Sequence, residues 1–295
     1  MSRPDQLYNS SDQYGWNAAA SLGGALHATT LGKISIYKAS FVSNNAATGA
    51  AVGMEGRSSG NFELVEFSDN NDDNDDVEVS AAGGALSTLG ESKANLTECA
   101  FLQNQAYIGG AGHHVGKSIV GYTRCAFIEN EASAQGGGFL ATGDASVTIR
   151  DTAFLRNVAR LGGGAVYNAA GGLSYIGVDS SYFAKNKCEG LDGAECDGGA
   201  ASSMNEHYKF VGCSFYANTA TGSGGALFLP FPHAGDPSVP TTAERDDTTA
   251  ADCNSLSFCK HCQYDQGAQD PAAPPTALRA RGLLPHGDRS YFIGI

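Results

Sequence analysis

Two short motifs alternate along this chain at a nearly constant distance, and that alternation limits its fold more than any single residue does. The first, Gly23-Gly24-Ala25-Leu26, returns as Gly83-Gly84-Ala85-Leu86, Gly163-Gly164-Ala165-Val166 and Gly224-Gly225-Ala226-Leu227, with looser copies starting at Gly49, Gly109, Gly136 and Gly198. The second is Phe-x-x-Asn: Phe41/Asn44, Phe67/Asn70, Phe101/Asn104, Phe127/Asn130, Phe154/Asn157, Phe183/Asn186 and Phe215/Asn218. From the second residue of the first motif to the Phe, the distance is 17 in five copies, then 19 and 16. Successive Phe residues are 26 to 34 apart, and a fixed period of this size marks a repeat architecture.

Within each repeat the apolar residues alternate. Ile34/Ile36, Val120/Tyr122, Val147/Ile149, Ile176/Val178 and Tyr208/Phe210 lie seven and five positions before their Phe, the period of a strand with one buried face. A small or β-branched residue stands two before each Phe (Ala39, Val65, Cys99, Cys125, Thr152, Ser181, Cys213), so the inward phase resumes after a two-residue bend. The spacing therefore predicts three short strands and three corners per repeat: one coil of a parallel β-helix, stacked on the next at about 4.8 Å. Phe should stack on Phe inside. The Asn is expected to form a corner ladder while accepting left-handed backbone geometry, and the glycine pair to make a tight corner to which Gly110 belongs and Gly116 does not. Surplus residues enter at Asn71–Ala82 and Cys188–Asp197. Tyr14-Gly15-Trp16-Asn17 reads as a first Phe-x-x-Asn with Tyr for Phe, so 1–21 is a partial coil or lead-in and 22–229 the helix. Beyond Leu229 the prolines at 230, 232, 237 and 240 stop the pattern, and 230–295 reads as an irregular Pro/Ala/Asp-rich tail.

The chain carries 18 Lys and Arg against 31 Asp and Glu, a formal charge of −13, which argues against a nucleic-acid groove or an anionic membrane surface as partner. No apolar run reaches the roughly 20 residues of a membrane-spanning helix. The segment Met1–Asp5 lacks the apolar stretch of a signal peptide, so the expectation is either an intracellular protein or a start that lies further upstream.

The paired Gly-Gly-Ala-(Leu/Val) and Phe-x-x-Asn repeats, from Tyr14 to Leu229, resemble those of the chlamydial polymorphic outer membrane proteins and the wider right-handed β-helix repeat proteins. The resemblance implies an all-β, right-handed parallel β-helix of seven to eight coils with the pectate-lyase-like fold. It also implies a secreted or cell-surface module for adhesion or scaffolding, whose partner is a surface glycan or protein. The alternative it leaves open is a polysaccharide lyase or glycoside hydrolase of the pectate-lyase-like class. The oligomeric state is not legible in the sequence.

Several groups of residues are candidates for chemistry. Glu98, Arg124 and Asp151 fall at the bend three before Phe in consecutive coils, where a guanidinium between carboxylates can neutralise a uronate and abstract a proton; an exposed ladder of opposite charges is the structural alternative. His27, His113, Leu140, Tyr167 and Phe228 share the outward phase three after the second motif position, a row able to stack sugar rings or a partner protein. His113 and His114 should face opposite sides of their strand and share no ion. Asp72, Asp73, Asp75 and Asp76 lie in an acidic insertion that can hold Ca²⁺ or simply be a solvated loop. Cys253, Cys259, His261 and Cys262 can form a zinc knot, with a disulfide as the other reading. Cys188 and Cys196 bracket one insertion and can staple it. Cys99, Cys125 and Cys213 read as small interior apolar residues. No resident cofactor beyond Ca²⁺ is indicated.

Overall fold

A computed structural model of the chain describes residues 12–70, 82–205, 207–229 and the backbone of 263–264. Within these residues every strand pairing is parallel, and the chain winds through about eight turns of a β-helix. Three sheets run along the axis. The Phe sheet has nine strands, from Asp12–Gly15 through Ala126–Ile128 to Gln263–Tyr264. The sheet that follows the glycine pair has eight, from Leu26–Ala28 to Leu227–Phe228. The sheet of the alternating apolar pairs has seven, from Lys33–Tyr37 to Tyr208–Val211. A fourth, minor sheet of two-residue strands (Gln105–Ala106, Glu131–Ala132 and their equivalents) follows the Asn. The alternation reading passes over this last element because two residues have no period.

Residues one repeat apart are Cα partners, as Phe101 is of Phe127 and Leu96 of Tyr122. One strand per rung spaces like side chains at the ladder distance. Tyr14 and the seven Phe of the motif accordingly form one stack, ring centroids 4.5–5.1 Å apart and planes within 4–13°. Beside it runs the Asn ladder. Asn104 Nδ2 donates to Asn130 Oδ1 (2.9 Å) and to the Phe67 carbonyl (2.9 Å), while its backbone N–H donates to the same Asn130 Oδ1 (3.0 Å). The pattern is unbroken from Asn17 to Asn218. Asn44, Asn70, Asn104, Asn130, Asn157 and Asn186 are fully buried.

Two sequence expectations need correction. The Asn is not the left-handed residue of its corner. That geometry falls on the residue before it, as in Gln103 (φ 53°), Glu129 (57°) and Arg156 (53°), which leaves the amide free to point inward. Nor is Gly116 outside the repeated corners: Gly56, Gly90, Gly116 and Gly143 make a second glycine row, all at φ +69 to +74°, each six residues after the second motif position. The double glycine itself answers two separate demands. Its first member takes φ between +57 and +76° in all eight copies. Its second is a matter of space, since a Cβ on Gly110 would run into the carbonyl oxygens of Gly137 and Glu131.

These contacts rank substitutions. Phe127→Ala, in mid-stack, should cost about 3–5 kcal/mol, and Tyr14→Ala, at the end, markedly less; urea denaturation of both would check the stack as the core. Gly110→Ala should cost about 3 kcal/mol or more, although the second coil accommodates Ala50 at the same register position, and Gly116→Ala about 1–2 kcal/mol through its left-handed backbone and a Cβ placed 3.1 Å from the Gly90 carbonyl oxygen. Gly121→Ala, whose added Cβ would lie 3.4 Å from its nearest neighbour at ordinary φ, should stay within about 0.5 kcal/mol; melting temperatures of the three variants test the order.

Candidate functional site

Glu98, Arg124 and Asp151 do form a row, one residue per coil, and all three sit in left-handed geometry at φ 55°, 53° and 50°. Each is the outer point of the bend between the apolar-pair strand and the Phe strand. Arg124 Nε donates to Glu98 Oε1 at 3.0 Å, with both side chains 39% exposed. Asp151 makes no ion pair with Arg124; the neighbouring Arg150 faces Asp179 instead, at 3.7 Å. The pairing of Glu98 with Arg124 has several equivalents: Arg57–Glu91 (2.7 Å), Arg156–Glu129 (2.8 Å), Arg160–Glu131 (2.8 Å) and His27–Glu55 (3.2 Å) each join one coil to the next. Exposed pairs of this kind contribute under about 1 kcal/mol each. A shallow depression of about 450 Å³, lined by Thr29, Thr30, Leu31, Glu55, Gly56 and Arg57, shares no residue with the row.

The outward row of the glycine-following sheet is in register as expected: His27, Gly53, Ser87, His113, Leu140, Tyr167, Ser202 and Phe228 are successive Cα partners. It is not an open face, however. Ser87 (0%), Leu140 (4%) and Ser202 (3%) are covered, because the glycine corner of one coil folds against the outward position of the next. A Cβ on Gly49 or Gly83 would lie only 3.0 Å from the Cβ of Ser87 or His113, respectively. Tyr167 lies over Gly162, and partial burial raises its hydroxyl pKa, with Asp197 adding to the effect. The continuous stacking surface inferred from the phase is therefore interrupted, leaving His27 exposed and His113, Tyr167 and Phe228 partly exposed.

His113 and His114 point to opposite sides, as strand geometry requires. Burial lowers His113 to about 4. His114 lies inside, where one ring nitrogen bonds Thr88 Oγ1 (2.9 Å) and the other Tyr122 Oη (2.8 Å); burial, then the proximity of His113, brings it down to about 3. Burial likewise raises the Tyr122 hydroxyl well above its usual range. This polar cluster escapes a reading by motif, yet its signal is present: Tyr122 replaces an aliphatic residue in the apolar pair, and a buried Tyr hydroxyl needs a partner.

Cys99, Cys125 and Cys213 are buried in the inward column two before Phe, and burial pushes the Cys99 thiol well above its usual range. Cys188 and Cys196 form a disulfide, Cα atoms 5.3 Å apart, across the turn Leu191–Gly193. Asp72, Asp73, Asp75 and Asp76, and likewise Cys253, Cys259, His261 and Cys262, lie outside the described residues. Among the described residues no three His, Cys, Asp or Glu side chains gather as a metal site, and no helix is long and apolar enough to cross a membrane.

The two histidines give the stability a pH signature. Below the unfolded value near 6.5 the unfolded chain binds protons that the folded chain refuses until about pH 4 at His113 and about pH 3 at His114. Their contribution is constant above pH 6.5 and is lost as pH falls below it, by up to about 1.4 kcal/mol per histidine per pH unit. Urea denaturation of the unaltered chain and His114→Gln at pH 7, 6 and 5 should show the variant's slope shallower by one proton.

No curated protein and no solved structure matches this chain significantly. A family model does, over part of it: the Chlamydia polymorphic membrane protein repeat matches residues 212–230. That stretch holds Phe215, Asn218 and Gly224-Gly225-Ala226-Leu227, one full pairing of the two motifs whose stacked copies build the helix.

Proposed function

We propose that this chain is a non-catalytic β-helix repeat module, displayed at a cell surface or secreted, that serves adhesion or scaffolding by binding a glycan or a protein. The observation that carries this reading is the division of labour among its residues. The motif residues Phe and Asn hold one coil on the next, and several outward charges are paired between coils instead of converging on a cleft. What is left for a partner is length. The outer face of the apolar-pair sheet spans seven strands, roughly 30 Å of regular surface at the ladder spacing. Its middle row carries Asn61, Asn95, Gly121 and Thr148 in register. Similarity to a repeat of chlamydial membrane proteins supports the surface assignment, and the Cys188–Cys196 disulfide supports an oxidising compartment.

The chain immobilised on beads, tested against a glycan panel and against cultured cells, should bind at least one surface ligand. Asn95→Arg and Thr148→Arg should weaken that binding about tenfold or more by placing an unmatched charge on the face. Parallel incubation with uronate polymers, with and without Ca²⁺, should give no turnover. Turnover that disappears in Arg124→Ala and Asp151→Ala would overturn this reading in favour of a polysaccharide lyase or hydrolase; capture of no ligand at all would also count against it.

A further inference from the structure

The end of a solenoid is its exposed point, because the last coil has one ring face and one row of ladder groups with no coil to follow. At the N-terminal end this is visible: Tyr14, the first ring of the stack, is only partly buried. The other end differs. Phe215, the last ring of the Phe-x-x-Asn series, is 1% exposed and Leu227 beside it 5%, although Phe183 covers only one of the Phe215 faces, at 4.9 Å.

The strand on the open side is known. Gln263–Tyr264 pairs in parallel with Ser214–Tyr216, with Ser214 opposite Gln263 and Phe215 opposite Tyr264. Tyr264 thus stands, by backbone register, opposite Phe215 on a ninth strand of the Phe sheet. The sequence around it agrees: Cys262 precedes Tyr264 by two, as Cys99, Cys125 and Cys213 precede Phe101, Phe127 and Phe215. From Gly225 to Tyr264 the chain takes 39 residues instead of the usual 16–19. Among the described residues the apolar-pair sheet ends one rung earlier, at Tyr208–Val211. The eighth turn therefore places Leu227–Phe228 in one sheet and Gln263–Tyr264 in another.

We propose that the strand Gln263–Tyr264 is a cap carried by the chain itself, which pairs with the last strand of the Phe-x-x-Asn series and denies that edge to the end coil of a second copy. Removing the cap frees the ladder groups of Ser214–Tyr216, an edge to which another parallel strand can add.

Hydrogen exchange on the full-length chain tests this. Tyr264→Asp, which puts a charge opposite Phe215 in register, and Gln263→Pro, which removes a ladder donor, should each raise exchange in residues 212–217 about tenfold, leave Ala153–Leu155 protected, and produce concentration-dependent oligomers in sedimentation. Tyr264→Phe and the distal Tyr291→Asp should match the unaltered chain. Unchanged protection of 212–217 in both disruptive variants overturns the proposal. So does an equal effect of Tyr291→Asp, or loss of protection along the whole helix in both disruptive variants, because a terminal rung touches only its neighbour.

Discussion

A buried primary amide has two donors and an acceptor that takes two bonds, and leaving any of them unmet costs about 1–3 kcal/mol. The Asn column meets all four in the interior coils. Asn130 Nδ2 gives one hydrogen to Asn157 Oδ1 and the other to the Phe101 carbonyl, while Asn130 Oδ1 accepts from the side chain and the backbone of Asn104. That arrangement exists only when successive coils are in register to the residue. A slip of one position would strand the whole column of amides and turn the Phe stack outward with it. The rest of the helix depends on this constraint: the ladder sets where each Phe ring lies, the rings set the width of the interior, and insertions are tolerated only where they leave both columns unbroken.

Corners carry the cost of closing a coil so tightly. A regular turn crosses left-handed backbone geometry four times, at the first motif glycine, at the second glycine row, three before Phe and two after it. The first two are glycine almost throughout, apart from Thr30 (φ 60°) in the opening coil. The other two are taken by residues with side chains, apart from Gly212 (φ 62°), at about 1 kcal/mol or more each. Their backbone N–H groups nevertheless continue the ladder, Arg124 to the Arg150 carbonyl at 2.9 Å and Glu129 to that of Leu155 at 2.9 Å, so the strained residue is held from both sides of its peptide.

How much of this can be read from the sequence depends on whether a feature is local to one coil. The Phe stack, the Asn ladder and the alternating strands follow from spacing, since residues at one period must lie above one another. The second glycine row was equally legible, as the constant six-residue step from Gly84 to Gly90 and from Gly110 to Gly116 shows; it was masked by the more conspicuous pairs. By contrast, the burial of Ser87 and Leu140 is decided by the glycine corner of a different coil, and no alternation within their own strand reports it. The partnership of Phe215 with Tyr264 spans 49 residues and an irregular composition, far beyond any window in which a period can be counted. Two of the candidate clusters, the acidic insertion and the Cys253–Cys262 group, fall outside the described residues altogether.

The same geometry bears on how a row of charges on a β-helix should be read. A left-handed residue at a convex bend projects its side chain into solvent, and the row three before Phe contains Lys38, Glu98, Arg124 and Asp151 for that reason; the row two after Phe contains Asp69, Glu129, Arg156 and Lys185. Stacking then brings residues of adjacent coils within reach, so opposite charges pair along the axis, as Glu98 does with Arg124 and Glu129 with Arg156. Polar composition, one-per-coil spacing and ion pairing are all consequences of the bend. A catalytic site on such a scaffold must display something the bend does not already supply: a carboxylate drawn out of the ladder, a wall that excludes water, or a group with a displaced pKa in a cleft. The displaced histidines here, His113 and His114, lie instead on and beneath the glycine-following sheet, where His114 ties Thr88 of the preceding coil to Tyr122.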